Sequence, residues 1–204
     1  MPILHQMQMS GNCYKVRLCA RQTGVDLVLK DYGLHDGSTR TPAFLTLNPN
    51  GRVPLLELDD GRFLPESGAI LFHLSQGTKL LPESAWDQAQ MLQWMFFEQY
   101  SHEPYIAVAR FWLHFATPEA LEKKRHLVPE WHTKGNAALA VMESHLLGHD
   151  WFAGNAYSIA DIALYGYTHS AAEGGFVLED YPAVSAWLKR VAAEPNHIDL
   201  DTRW

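Results

Sequence analysis

Apolar and polar positions alternate in two different ways along the chain, and the change comes near Gly77. Before it, short apolar runs of strand length alternate with short helical ones. Ile3–Met7 predicts a strand and Asn12–Thr23 a helix, whose start Ser10 or Asn12 can cap and whose end Gly24 punctuates. Asp26–Tyr32 predicts a second strand, and Thr41–Leu47 a short helix stopped at Asn48-Pro49. Leu55–Leu58 and Arg62–Leu64 flank Asp59-Asp60-Gly61, a hairpin signal because the turn needs positive φ. Ser67–Gln76 predicts a helix, with Ser67 as N-cap and Gly77 just past its end. The order βαβαββα joins a right-handed parallel crossover to an antiparallel hairpin, which makes a small mixed sheet with helices on its faces.

After Gly77 strand signals nearly vanish. Residues 78–87, with Leu80-Leu81-Pro82-Glu83-Ser84, read as a linker, and 88–204 as an all-helical domain. Ala89–Phe115 is helical, with Pro104 expected to kink or break it because proline removes a backbone donor. Pro118–Gly148 forms another long segment. Ser158-Ile159-Ala160-Asp161 resembles a capping box ahead of a buried-looking helix over Ile162–Ala172. Pro182–Glu194 starts with a helix-compatible proline and stops at Pro195. The expected architecture is an α/β domain over 1–77, the linker, and the helical domain.

Composition narrows the function classes. With 204 residues, 47% of them hydrophobic, the chain can bury a sizeable core without disulfides or metals. The two cysteines, Cys13 and Cys19, give no disulfide framework and suit a reducing compartment. A net charge of −7 without a basic stripe disfavours nucleic acid. Met1–Gln6 has no signal pattern and no run reaches membrane-spanning length. The expectation is a soluble cytoplasmic protein acting on small molecules, with no membrane or metal partner. His145 and His149 stand four apart but beside Gly148, where they read as a helix end; no phosphate loop or dinucleotide fingerprint is present.

Three short segments carry candidate chemistry, each beside a plainer reading. In Arg52-Val53-Pro54, Pro54 is either a trans edge proline in a turn or a cis proline that turns the Val53 peptide groups toward open space, where they can pair with a peptide ligand. In Pro65-Glu66-Ser67-Gly68, Ser67 and Glu66 either cap and favour the helix or hold an α-amino acid group. There the amides and hydroxyl would take its carboxylate, and Glu66 its ammonium. In Ser10-Gly11-Asn12-Cys13, the polar side chains either cap the helix or donate to a bound thiolate, which lowers the thiol's pKa.

The succession of strand, serine-containing turn, helix, strand, helix, Val-Pro, hairpin, Glu-Ser and helix resembles the N-terminal plan of glutathione transferases, a thioredoxin-like domain. Ser158–Asp161 is similar to the capping box of that family's helical domain. The resemblance spans nearly the whole chain and implies glutathione as co-substrate, no tightly bound cofactor, a small electrophile as second substrate, and a homodimer. It implies that Val53 contacts the cysteinyl backbone, that Glu66 and Ser67 hold the γ-glutamyl end, and that Ser10 faces the sulfur. Ser10-Gly11-Asn12 followed by Lys15-Val16 looks most like bacterial members of the serine- or asparagine-dependent kind, so Asn12 rivals Ser10 as the thiol's main partner.

Beta-class bacterial transferases carry cysteine in the sulfur-facing turn, where this chain has Ser10; that argues against mixed-disulfide chemistry. Cys13 fits a buried helix cysteine. For the glycine carboxylate of glutathione the candidates are His35, Arg40 and Arg52. Tyr100, Tyr105, Arg110 and Phe115 can shape an amphipathic wall for the second substrate, although an aromatic stripe at this spacing also serves as core. The implied activity is conjugation of the glutathione thiolate to an electrophile. The alternatives are another glutathione-dependent enzyme (peroxidase, disulfide reductase, isomerase or dehalogenase) or a non-catalytic glutathione-binding regulator.

Overall fold

The computed structural model describes residues 1–204, which divide into two units: Met1–Leu81 with Pro195–Trp204, and Pro82–Glu194. In the first, β1 (Ile3–Gln6), α1 (Gly11–Thr23), β2 (Val28–Asp31), α2 (Pro42–Leu47), β3 (Leu55–Glu57), β4 (Phe63–Pro65) and α3 (Ser67–Leu74) follow in the order read from the sequence. The four strands lie in the order β2-β1-β3-β4. β1 and β2 are parallel, with Leu4 opposite Leu29, whereas β1–β3 and β3–β4 are antiparallel. The hairpin closes through Leu58 N–H to Arg62 O (2.8 Å) and Gly61 N–H to Leu58 O (2.9 Å), with Gly61 at φ 81°. A glycine is favoured there because any Cβ resists that φ.

Side chains alternate across a strand, so β1 assigns the helices to faces. Gln6 turns to α1, where it accepts a hydrogen bond from the Arg17 guanidinium. His5 turns the other way, edge-on to Phe44 of α2 at 6.1 Å. Its ring also bridges the Tyr32 hydroxyl (2.8 Å) and the Glu57 carboxylate (3.0 Å). α1 packs on α3, where the Cys19 Sγ meets the Ser75 hydroxyl at 3.3 Å. Gly24 ends α1 in the left-handed conformation, φ 73°.

The C-terminal tail, expected with the helical half, packs on the first unit instead. Its backbone carbonyls are the anchor. Tyr14 donates to Ile198 O (2.7 Å), Arg17 to Leu200 O (2.9 Å), and Gln8 to Leu200 O (2.8 Å) and Thr202 O (3.1 Å). The Arg21 guanidinium lies over the Trp204 ring at 4.6 Å. Backbone acceptors leave no pattern in side-chain sequence, so periodicity could not reveal this docking.

The second unit is helical: α4 (Ala85–Phe97), α5 (Glu103–Arg110), α6 (Pro118–Glu122), α7 (Val128–Leu146), α8 (Ile159–Thr168) and α9 (Pro182–Ala192). α4 begins inside the expected linker, because the Ser84 hydroxyl accepts from Asp87 N–H (3.0 Å). Pro104 does not end its helix. A π-turn over Glu98–His102 widens the spiral just before it and continues into α5. The long helix expected over Pro118–Gly148 is split, since Pro129 in the first turn of α7 lacks the amide that would continue a helix from upstream. The capping box is present at α8: buried Asp161 accepts from Ser158 N–H (3.0 Å) and, in addition, from Trp187 Nε1 (3.0 Å) and Phe152 N–H (3.2 Å).

Candidate functional site

The turn after β1 places Ser10 at the N-cap of α1, with φ −76°, where its Oγ accepts from Cys13 N–H at 3.3 Å. Ser10 therefore does the capping, and Asn12 sits inside the first helical turn. A hydroxyl that accepts from the backbone still has its own proton to donate. The first turn of α1 contains no acidic residue, so its positive end is not offset by a side-chain charge.

Asn12 links this turn to the next segment. Its Oδ1 accepts from the Lys15 ammonium (2.7 Å) and from the Ser67 hydroxyl (3.3 Å), a residue fifty-five positions away in sequence. One hydrogen bond thus joins the proposed sulfur-facing turn to the start of α3. Ser67 is buried and is the first residue of α3; the N-cap position belongs to Glu66. This corrects the sequence reading of Ser67 as cap, and the reason is conformational. Glu66, at φ 72° and ψ 115°, is the last residue outside the helix, so the helix begins at Ser67, one residue earlier than expected. Glu66 is exposed, and a non-glycine residue at positive φ costs about 1–3 kcal/mol, a cost that concentrates at ligand sites.

The third segment lies at the start of β3. The Val53–Pro54 peptide bond is cis, and the β1–β3 ladder ends at Leu55, so the peptide groups of Val53 lie beyond the paired strands. Asn48 holds the approach: its Nδ2 donates to Arg52 O (2.8 Å) and its Oδ1 accepts from Asn50 N–H (3.1 Å). Arg52 and His35 are exposed, while Arg40, also exposed, donates to Asn50 O (2.9 Å).

Neither cysteine is poised as a nucleophile. Burial pushes the Cys13 thiol up, against hydrogen bonds from Met7 N–H and Ser10 that pull the other way. Burial pushes Cys19 up to about 12. Both stay largely thiols at neutral pH.

Of the four residues considered for a second substrate, Arg110 and Phe115 lie together. Arg110 is buried and donates to Glu173 (2.6 Å), with its guanidinium 4.9 Å from the Phe115 ring centre. Tyr105 lies under the Lys134 ammonium at 5.0 Å, and Tyr100 is exposed. His145 stacks on His149 at 4.2 Å and its Nε2 faces Trp151 O. No cluster of metal-ligating side chains is present, and no helix is long and apolar enough to cross a membrane. Sequence reasoning passed over the contacts that Asn48 and Lys15 make to the candidate segments, because each goes through a neighbour's backbone or amide; the Asn-Pro-Asn turn is the signal that could have drawn attention to Asn48.

Comparison with known proteins gives a consistent answer. Family models described as glutathione S-transferase N-terminal domain and C-terminal domain match residues 3–76 and 86–195. The crystal structure of a glutathione S-transferase from Pseudomonas fluorescens is 46% identical, with a TM-score of 0.94 over 98% of each chain. Ure2p in complex with glutathione is 25% identical, with a TM-score of 0.81 over 96% of this chain and 90% of that one. The disulfide-bond oxidoreductase YfcG of Escherichia coli is 28% identical over 90% of this chain and 87% of its own. The chain belongs to the glutathione S-transferase family.

Proposed function

We propose that the protein binds glutathione and delivers its sulfur, as thiolate, to a small electrophilic carbon. The observation that carries this reading is the Asn12–Ser67 hydrogen bond, which joins the turn proposed to activate the thiol to the segment proposed to grip the γ-glutamyl end. In the proposed complex, Val53 pairs with the cysteinyl backbone, and Glu66 and Ser67 take the ammonium and carboxylate of the γ-glutamyl end. Arg52 takes the glycine carboxylate. Ser10 and Asn12 donate to the sulfur. Donors to the charged form, with the positive end of α1, favour thiolate over thiol. Each tenfold gain in thiolate needs only about 1.4 kcal/mol, within reach of one charge-assisted hydrogen bond. The thiol proton leaves to solvent, the S–C bond forms, and the electrophile either expels a leaving group or takes up a proton. Arg110, neutralised by Glu173, is assigned to the helical core, so Tyr105 and Phe115 remain the candidates for the electrophile's wall.

A second reading keeps the same site and changes only the target. The bound thiolate attacks a disulfide sulfur, releasing a thiolate and leaving a mixed disulfide with glutathione. The likeness to YfcG favours it, and it needs no cysteine of this chain, which suits the two buried thiols. Family membership also supports a homodimer. In line with it, α4 presents Trp86, Leu92 and Phe96 to solvent, with Tyr100 one turn further on, opposite its buried face of Met91, Trp94 and Met95. Calorimetry with glutathione, followed by panels of carbon electrophiles and disulfides, tests the proposal. No heat at millimolar glutathione would sink it; turnover of disulfides alone would select the second reading.

A further inference from the structure

We propose that Lys15 is a positioning residue for the sulfur site, holding the Asn12 amide so that its N–H donor end serves the thiolate; this rests on the glutathione reading above. Lys15 is buried at 1% exposure on α1, and its ammonium reaches Asn12 Oδ1 at 2.7 Å, one turn back along the helix. An ammonium only donates, so the atom it meets is the amide oxygen, and Nδ2, with its two protons, is the donor end of the amide. Without such an anchor, an asparagine can rotate by half a turn and present its oxygen, which would repel a thiolate.

Ser67 cannot do this work once the site is filled. A serine hydroxyl has one proton. In the structure it is given to Asn12 Oδ1 at 3.3 Å, and in the proposed complex it goes to the γ-glutamyl carboxylate. Lys15 is then the donor that still fixes Oδ1. Arg17 donates to Gln6, to Gln8 O at 2.9 Å and to Leu200 O at 2.9 Å, and Glu66 stands at the N-cap of α3.

The test reads thiolate absorbance of bound glutathione against pH in wild type, Asn12→Ala, Lys15→Met, Lys15→Arg and the double variant. S-methylglutathione, which has no thiol, reports the grip alone. Lys15→Met should move the midpoint up by about 1 pH unit while leaving affinity for S-methylglutathione within about twofold. Lys15→Arg should restore most of the wild-type midpoint, and Lys15→Met should add nothing in the Asn12→Ala background. Should the methionine variant not fold, Lys15→Ala removes the same donor and is read in the same way. An unmoved midpoint, a parallel loss of S-methylglutathione affinity, or full additivity with Asn12→Ala would each overturn the role of Lys15. Failure of the glutathione reading looks different: wild type would not bind glutathione, or Asn12→Ala would leave the midpoint in place.

Discussion

Glu66 holds a backbone conformation, φ 72° and ψ 115°, that only glycine enters without steric cost. Its side chain is exposed and has a proposed partner only in the ligand. In the proposed complex the residue works against stability in favour of binding, and one substitution should separate the two. Glu66→Gly should leave the melting temperature unchanged or raise it, because relief of about 1–3 kcal/mol of strain opposes the entropy cost of a new glycine. The same variant should weaken glutathione binding by about tenfold or more, the loss of one charge-assisted hydrogen bond. A clear drop in melting temperature, or unchanged affinity by calorimetry, would contradict this division. Ser10→Ala makes the complementary case. Ser10 caps α1 through Cys13 N–H, so thermal unfolding should show a loss of about 1 kcal/mol, the usual worth of a cap.

Among elements, the tail is the one whose role the sequence concealed. Tyr14, Arg17 and Gln8 hold it through backbone carbonyls, and Gln8 and Arg17 also border the turn that leads to Ser10. Removing Pro195–Trp204 strips the buried Arg17 of Leu200 O, and a buried charge that loses a partner is costly. Thermal unfolding should show the truncated chain destabilised by at least about 2 kcal/mol, with faster proteolysis near Gln8; an unchanged melting temperature would assign the tail no structural role. The contrast shows which features the sequence could carry. The succession of elements, the Asp-Gly hairpin, the Gly24 stop and the Ser158–Asp161 box were legible because each is written in local residue types with one dominant conformation. The π-turn before Pro104 was not, since it compensates a proline by changing the spiral of its neighbours. The shift of the α3 cap from Ser67 to Glu66 was not either, because nothing local favours a glutamate at positive φ. The candidate segments are short local motifs, but the Asn12–Ser67 bond that joins two of them spans the fold and has no local mark.

At the scale of the whole molecule, two properties follow: how stability responds to pH and how the chain assembles. Burial raises the Asp161 carboxyl from 3.8 to about 6, against four hydrogen bonds that pull it down. Its folded value lies above the unfolded one, so the folded state binds the proton more tightly. The stabilisation this gives is complete below about 3.8 and is lost as pH rises through about 6. Denaturant titrations should therefore show the advantage of wild type over Asp161→Asn shrinking from pH 4 to pH 6 and level above it; a growing advantage would mean that the hydrogen bonds outweigh burial. The proposed homodimer is assigned to the exposed stripe of α4. Trp86 is 72% exposed, Phe96 68% and Tyr100 84%, on the side opposite the buried Met91 and Trp94. Burying one such ring contributes about 1.5–3 kcal/mol, and a two-fold axis counts each residue twice. Phe96→Glu replaces that gain with the cost of desolvating two like charges near one another. Sedimentation should give wild type twice the 23.1 kDa chain mass and Phe96→Glu the single-chain mass, with the helical content of both unchanged. A wild-type chain sedimenting at 23.1 kDa would remove the homodimer, and a variant still at twice that mass would move the interface off this stripe.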